Sequence, residues 1–263
     1  MWNSSLLHSL AGLLLVAGPA VTAPVSAPPT VERSATHPMR YHLALPEGWT
    51  AERMWPVVVV IPDATRDFAG NLNAFVAARG ARPFILVAPE VMTCGGARSR
   101  LRELYACSDS EWTAIDPAHD FEFDDTGMAA VLADVARRWH GERQAFLTGW
   151  EAGGHTVWAQ ALQHPERWRA VAPVSPNFQG RGLGARPASA KPVTLPLQVF
   201  RCGAPTGIGV TAIQYVDQQI PPAVAEARAR GITARMPVKV VAGADHGPLP
   251  GPVLDWFATF VGH

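Results

Sequence analysis

The chain has 263 residues, and its 22 Lys and Arg residues balance 22 Asp and Glu residues. A net charge of zero argues against a protein that binds nucleic acid or acidic membranes through a broad positive field, so we expect neither partner. Hydrophobic residues make up 48% of the chain, which is enough for a core and excludes a disordered protein. Three cysteines are too few for a disulfide scaffold, and their spacing does not indicate zinc.

The N-terminus is predicted to be an export signal. Its first 31 residues contain no Asp, Glu, Lys or Arg, and Leu10–Ala17 is an apolar run too short to span a bilayer. Small residues and a Pro-rich stretch follow, as in a secretory signal and its linker. We predict a signal peptide over 1–20, a linker over 21–38 and one domain over 39–263, in a secreted or periplasmic protein. A misassigned start codon is the alternative, because the segment before the apolar run has His8 but no Lys or Arg.

The predicted elements alternate between strand and helix, as continuous apolar runs alternate with apolar stripes at helical spacing. The predicted strands are, in order, Met39–Leu45, an edge strand because it ends at Pro46, then Pro56–Pro62, Phe84–Ala88, Ala145–Thr148, Ala170–Val174, Leu197–Cys202 and Val238–Val241. Five helices are predicted. The first has Phe68, Leu72, Phe75 and Val76 on one face and ends at Gly80, and the second runs along Met128–Trp139 with Asp125 or Thr126 as its cap. The third ends near Gln163, and the last two span Pro221–Arg230 and Pro252–Val261. This order predicts a single-domain α/β fold with a mostly parallel sheet and helices on both faces.

A long segment without periodicity separates two of these elements, at residues 90–124. A loop of that length in a compact domain is usually functional. Cys94 and Cys107 both lie in it and could close a small ring in an exported protein, which would leave Cys202 unpaired.

The segment Thr148–Gly154 joins a predicted strand sharply to a helix. Gly149 and Gly153 flank Glu151 at the spacing of a nucleophile elbow, G-x-S-x-G. Such a turn holds its central residue in a strained conformation, and it needs glycines where strand and helix approach closely.

Around this elbow the sequence resembles the α/β-hydrolase superfamily. More narrowly, it resembles secreted esterases of the polyhydroxyalkanoate-depolymerase and feruloyl- or acetylxylan-esterase type. Leu45–Gly48 before a buried strand, Ala88–Glu90 after the next strand and Gly243–Gly247 before the last helix carry the likeness further. The resemblance covers 39–261. It implies the α/β-hydrolase fold, catalytic positions at Glu151 and His246, and a small-molecule or polymeric ester as the ligand. We expect no cofactor and no metal.

Three positions depart from the pattern of the family. Glu151 stands where the family has serine, and a carboxylate has no proton to give up as it attacks. The oxyanion turn reads Ile61–Ala64, so that Asp63 would bring negative charge beside the amide of Ala64, while the second donor, the amide of Ala152, is retained. The acid member of the triad should follow Leu197–Cys202, and residues 203–207 contain no carboxylate.

Several roles therefore stay open at this stage. Asp217 is the nearest carboxylate to the missing acid, although it lies far along the chain. Asp63 either joins a polar site with Glu151 and His246 or caps the helix that begins near Phe68, and we favour the cap. We also expect Glu151 and His246 to form an ion pair that fills the former pocket, beside Trp150 in the pocket wall.

These departures leave two hypotheses for function. The first is a protein of esterase descent that has lost serine-esterase activity and acts, if at all, by binding. The second is an active hydrolase that uses Glu151 as nucleophile or base together with His246.

Overall fold

A computed structural model describes residues 28–95, 120–183, 194–203, 209–232 and 238–262 of the chain. Strands and helices alternate along these residues. In chain order they are β1 (Thr30–Arg33), β2 (Arg40–Ala44), β3 (Val57–Ile61), α1 (Phe68–Arg79), β4 (Ile85–Pro89), α2 (Asp120–Trp139), β5 (Ala145–Trp150), α3 (Gly153–Gln163), β6 (Trp168–Val174), β7 (Val199–Cys202), α4 (Gly209–Ala229), β8 (Val238–Val241) and α5 (Pro250–Ala258). The predicted signal peptide over 1–20 lies outside the described residues.

The described strands form one sheet in the order β1-β2-β4-β3-β5-β6-β7-β8. β1 and β2 run antiparallel to their neighbours, and the other strand pairs are parallel. All five residues of β3 and all five of β4 are buried, as expected of strands with both faces covered. Helix α1 packs beside α5, and α2 packs beside α3. The predicted single-domain α/β architecture is confirmed.

The sheet begins earlier in the chain than the sequence indicates. β1 lies within the segment predicted to be a linker, and it pairs with β2 from Thr30 opposite Leu43 to Arg33 opposite Arg40. β2 is therefore not the edge strand, and that prediction is wrong. Because three of the four residues of β1 are exposed, the strand carries no burial pattern that a sequence could reveal.

Two helices begin well before their predicted positions, and α5 begins two residues early. Helix α2 starts at Asp120, so neither Asp125 nor Thr126 is its cap. Helix α4 starts at Gly209 and carries Pro221 and Pro222 inside it, although proline removes a backbone donor and usually marks a helix start. Among the described residues, no helix has the length and apolar character needed to cross a bilayer.

Candidate functional site

Glu151 lies in the tight turn between β5 and α3, at the carboxyl end of a central strand. Its φ of +50° is in the left-handed region, where a side chain other than glycine is strained. The turn is closed by backbone hydrogen bonds, since the carbonyl of Glu151 accepts from the amides of Gly154 and Asn177 at 3.0 and 2.8 Å. A Cβ on Gly153 would lie 2.2 Å from the carbonyl oxygen of Pro62, so this position requires glycine. The structure thus has the strand–turn–helix that the glycine spacing indicates.

The carboxylate of Glu151 accepts hydrogen bonds from three groups. Oε2 lies 2.7 Å from the amide nitrogen of Ala152 and 3.3 Å from that of Ala64. Oε1 accepts from the side-chain amide of Asn177 at 3.3 Å. Ala152 follows the centre of the turn, and Ala64 lies in the loop after β3. In an α/β-hydrolase, these two places supply the backbone donors of the oxyanion hole. One side-chain oxygen of Glu151 therefore occupies the position to which both donors point.

Asp63 does not cap α1, and that prediction is wrong. Its Oδ1 accepts from the amide and the hydroxyl of Thr65, at 3.2 and 2.6 Å, in a local turn. The cap is Asp67, whose carboxylate accepts from the amide of Gly70 at 2.8 Å. An N-cap directly precedes the first helical residue, so the start of α1 at Phe68 selects Asp67. Because Asp63 folds back on Thr65, the neighbouring amide of Ala64 is left to donate to Glu151.

His246 lies in the loop between β8 and α5, and its ring packs against that of Trp150. The two ring centroids are 5.1 Å apart in an edge-to-face arrangement with an interplanar angle of 65°. No hydrogen bond or ion pair joins Glu151 to His246, both of which the structure describes, so the expected ion pair is not formed. The physical reason is that the backbone amides of Ala64 and Ala152 already satisfy the carboxylate.

Asp217 is engaged away from His246. It lies on α4, where its carboxylate forms a two-point ion pair with Arg201 on β7, at 2.6 and 2.8 Å. Residues 204–208, which follow β7, lie outside the described residues. Within the part of the chain that the structure describes, no carboxylate forms a hydrogen bond or an ion pair with His246.

The segment that follows β4 covers the elbow. Gly95 has a φ of +91°, and a Cβ there would lie 2.7 Å from Cβ of Ala152 and 3.4 Å from that of Ala64. Cys94 is a free, fully buried thiol in the structure, and burial raises its pKa to about 12. A free thiol at Cys94 does not support the predicted disulfide between Cys94 and Cys107. Cys107 lies outside the described residues, and the pairing stays a prediction.

A buried carboxylate on α2 holds this segment in place, and sequence reasoning missed it. Asp124 is 1% exposed, and it accepts from the amide of Met92 at 2.7 Å and from the amide and hydroxyl of Thr93 at 2.8 and 2.6 Å. The hydroxyl of Thr93 also lies 2.7 Å from that of Thr156 on α3. Burial raises the pKa of Asp124 to about 7, against the effect of these hydrogen bonds. Asp124 thus ties the covering segment to α2, and Thr93 ties it to the helix that follows the elbow.

Asn177 is the second site residue that the sequence reasoning missed. It lies three residues beyond β6 and is 9% exposed. A signal was available, because ligand-contacting side chains gather at the carboxyl ends of parallel strands. Among the described residues, no group of three or more His, Cys, Asp or Glu side chains is placed to hold a metal ion.

Comparison with known proteins identifies the fold. No family model and no curated protein matches the sequence. Among solved structures, the chain is similar to poly(aspartic acid) hydrolase-1 from Sphingomonas sp. KT-1, with 13% identity and a TM-score of 0.61 over 90% of this chain and 98% of that one. It is also similar to an S-formylglutathione hydrolase from Agrobacterium tumefaciens, with 13% identity and a TM-score of 0.59 over 92% and 99% of the two chains.

A third similar structure is LpqC, a poly(3-hydroxybutyrate) depolymerase from Bordetella parapertussis. It is 19% identical, with a TM-score of 0.58 over 88% of this chain and 89% of that one. Two of these three structures are named as hydrolases and the third as a depolymerase. The chain therefore has the α/β-hydrolase fold.

Proposed function

We propose that this chain is an exported α/β-hydrolase-fold protein of esterase or depolymerase descent that has lost serine-esterase activity and acts by binding. Glu151 takes the place of the nucleophilic serine, and the ligand is a small-molecule or polymeric ester. The apolar run of Leu10–Ala17 supports a secreted or periplasmic location. The proposal rests on one observation: the Glu151 carboxylate accepts hydrogen bonds from the amides of Ala64 and Ala152.

The position of this carboxylate bears directly on catalysis. Acyl transfer needs two preorganised donors aimed at the oxygen that becomes negative in the transition state, and removing one donor costs about two to three powers of ten in rate. Here both donors bind an oxygen that is already part of the protein. A substrate carbonyl cannot reach them until the Glu151 side chain moves. The side chain therefore acts as a built-in analogue of a carboxylate product.

The chemistry of Glu151 points the same way. A serine hydroxyl attacks while histidine removes its proton, and a second acid orients that histidine. Glu151 has no such proton, and His246 contacts the ring of Trp150 rather than a carboxylate within the described chain. Glu151 thus replaces the nucleophile of the triad, and His246 lacks its acid partner within the described chain, whereas both oxyanion donors are retained.

The test uses the purified full chain with a fluorophosphonate probe and with short-chain chromogenic esters. We expect no labelling and no turnover above the buffer rate. Rapid stoichiometric labelling, or turnover at the rate of ordinary esterases, would overturn the proposal. Glu151→Gln and the exposed Glu47→Gln serve as a matched pair, since each removes one carboxylate and only the first touches the site.

The same preparations discriminate the second hypothesis, in which Glu151 is a nucleophile. An attacking carboxylate would form a covalent ester with a slow substrate, and intact-protein mass spectrometry would detect the added mass. We expect no adduct on the wild-type chain. An adduct that Glu47→Gln retains and Glu151→Gln abolishes would establish the active hydrolase instead.

A further inference from the structure

A concave site lies away from the elbow, between α2 and the turns that lead into the sheet. The cavity measures about 530 Å³, within the range of small-molecule sites. Its lining combines small or apolar side chains with three arginines. The lining residues are Met54, Ala129, Leu132, Ala133, Ala136, Arg137, Arg143 and Arg167. We call this site the arginine trough.

The arginine trough lies at the amino ends of the parallel strands. Met54 comes shortly before β3, Arg143 shortly before β5, and Arg167 directly before β6. β3, β5 and β6 are neighbours in the sheet, so the turns before them lie side by side at the amino ends of these strands. Glu151 follows β5 at its carboxyl end. The trough and the elbow therefore lie at opposite ends of the parallel strands of this sheet.

The floor of the trough is apolar because α2 presents small side chains there. Ala129, Ala133 and Ala136 recur at helical spacing beside Leu132, and they leave room that a longer side chain would fill. Met54 forms part of the wall and is 50% exposed. An alkyl chain laid on this floor would remove apolar surface from water, including that of Met54.

The charge on the rim is of one sign, since the lining has three guanidinium groups and no carboxylate. Arg137 is bound by Asp134 at 2.6 Å, and Nη1 of Arg167 donates to the carbonyl of Asp125 at 3.1 Å. Arg143 is exposed and has no hydrogen-bond or ion-pair partner among the residues that the structure describes. Burial lowers the pKa of Arg167, because the carboxylates of Asp125 and Glu166 do not offset its desolvation. An anion in the trough would supply the missing charge.

We propose that the arginine trough binds an amphiphilic organic anion, with an alkyl or acyl chain on the alanine floor and an oxyanion headgroup between Arg143 and Arg167. Guanidinium groups bind carboxylate and phosphate through paired hydrogen bonds, so both headgroups share the required chemistry. The binding needs both parts of the ligand. A short anion lacks the apolar contact, and a neutral chain leaves the guanidinium groups unmatched.

The test is calorimetric titration of the full chain with octanoate, octyl phosphate, acetate and octanol. We expect saturable binding of octanoate or octyl phosphate, with acetate and octanol at least about tenfold weaker. The ratio of the two dissociation constants identifies the headgroup. Absence of saturable binding to both amphiphilic anions, or equal binding of octanol, would overturn the proposal.

Three variants locate the ligand. Arg143→Gln should weaken binding about fivefold, whereas Arg228→Gln, which removes an exposed arginine on α4, should leave it unchanged. Ala133→Leu should weaken binding at least about tenfold by filling the floor, and leucine is well tolerated in an exposed helix. Equal losses in Arg143→Gln and Arg228→Gln would show that the binding is nonspecific. Because Glu151→Gln should retain octanoate affinity, this result is independent of the proposed function.

Discussion

The carboxylate of Asp124 is bound to Thr93 twice, by the backbone amide at 2.8 Å and by the hydroxyl at 2.6 Å. Asp124 lies on α2, and Thr93 lies in the segment after β4, two residues before Gly95, which packs against the elbow. A buried group on one helix thus holds the residues that cover the site.

This relationship predicts that part of the stability depends on pH. The pKa of Asp124 is about 7 in the folded chain and 3.8 in its ordinary state, so the folded chain binds more protons between these values. The stabilisation of the folded chain by Asp124 is fully present below about pH 4, decreases as the pH rises towards 7 and is lost above that pH. Asp124→Asn should lack this decline. Urea unfolding of both proteins from about pH 4 to about pH 8 measures it, and parallel curves would contradict the prediction.

His155 should contribute a pH dependence of the opposite sign. It is 6% exposed on α3, and burial, assisted by the charge of Arg181, lowers its pKa from 6.5 to about 4. The unfolded chain then binds more protons between these values, so stability is lost as the pH falls from about 6.5 towards 4. His155→Gln should be less sensitive to acid than the wild type in this interval. If the two proteins lose stability equally on acidification, the buried neutral histidine is not the cause.

Gly95 should tolerate alanine worse than another glycine of similar conformation. Gly48 has a φ of +66°, and a Cβ there would have nothing within 4 Å, so Gly48→Ala should cost only conformational strain, about 1 kcal/mol. Gly95→Ala adds an overlap with Cβ of Ala152 at 2.7 Å and should lower the free energy of unfolding by roughly 2–4 kcal/mol. Denaturant unfolding of the two variants compares them. A smaller loss in Gly95→Ala would show that the covering segment is not packed on the elbow.

Glu151→Ser alone should not restore an esterase. The hydroxyl would lie beside both oxyanion donors, but His246 would still lack a carboxylate partner within the described chain. Loss of the orienting acid costs roughly four powers of ten in rate in a serine triad. We expect chromogenic ester hydrolysis at least about a thousandfold below that of an intact triad enzyme. Glu151→Gln controls for the lost charge, and full recovery in Glu151→Ser would mean that an acid reaches His246 by another route.

Most strands that the sequence revealed are largely buried, whereas β8, predicted at its observed bounds, is exposed. Pro56–Pro62 is apolar throughout because β3 lies between two layers of helices, and this pattern survives without any tertiary information. β1 gave no such pattern, as its side chains are largely exposed. The start of α2 was hidden for a different reason. Asp124 is a charged residue that the structure buries, and sequence patterns assign charged residues to the surface.

The turn at the candidate site was predictable because its steric requirement leaves glycines in the sequence: a Cβ on Gly149 would lie 2.8 Å from Cβ of Ile61, and one on Gly153 would lie 2.2 Å from the carbonyl oxygen of Pro62. The partner of Glu151 was not, since opposite charge suggested His246 while the folded chain places two backbone amides nearer. The sequence predicts that Ala64 and Ala152 carry the oxyanion donors, but it does not show that the Glu151 side chain reaches them. Their direction depends on how the loop after β3 meets the turn after β5, which only the assembled sheet decides.

The outer position of β1 has a practical consequence for expression. A recombinant fragment that begins at residue 39 would discard Thr30–Arg33 together with the ion pair of Glu32 and Arg138. The backbone of Arg40–Ala44 would then have unpaired donors and acceptors along one side. An exposed edge strand of this kind pairs with strands of other molecules. Fragments that retain Thr30 should stay dispersed, whereas shorter ones should aggregate during purification.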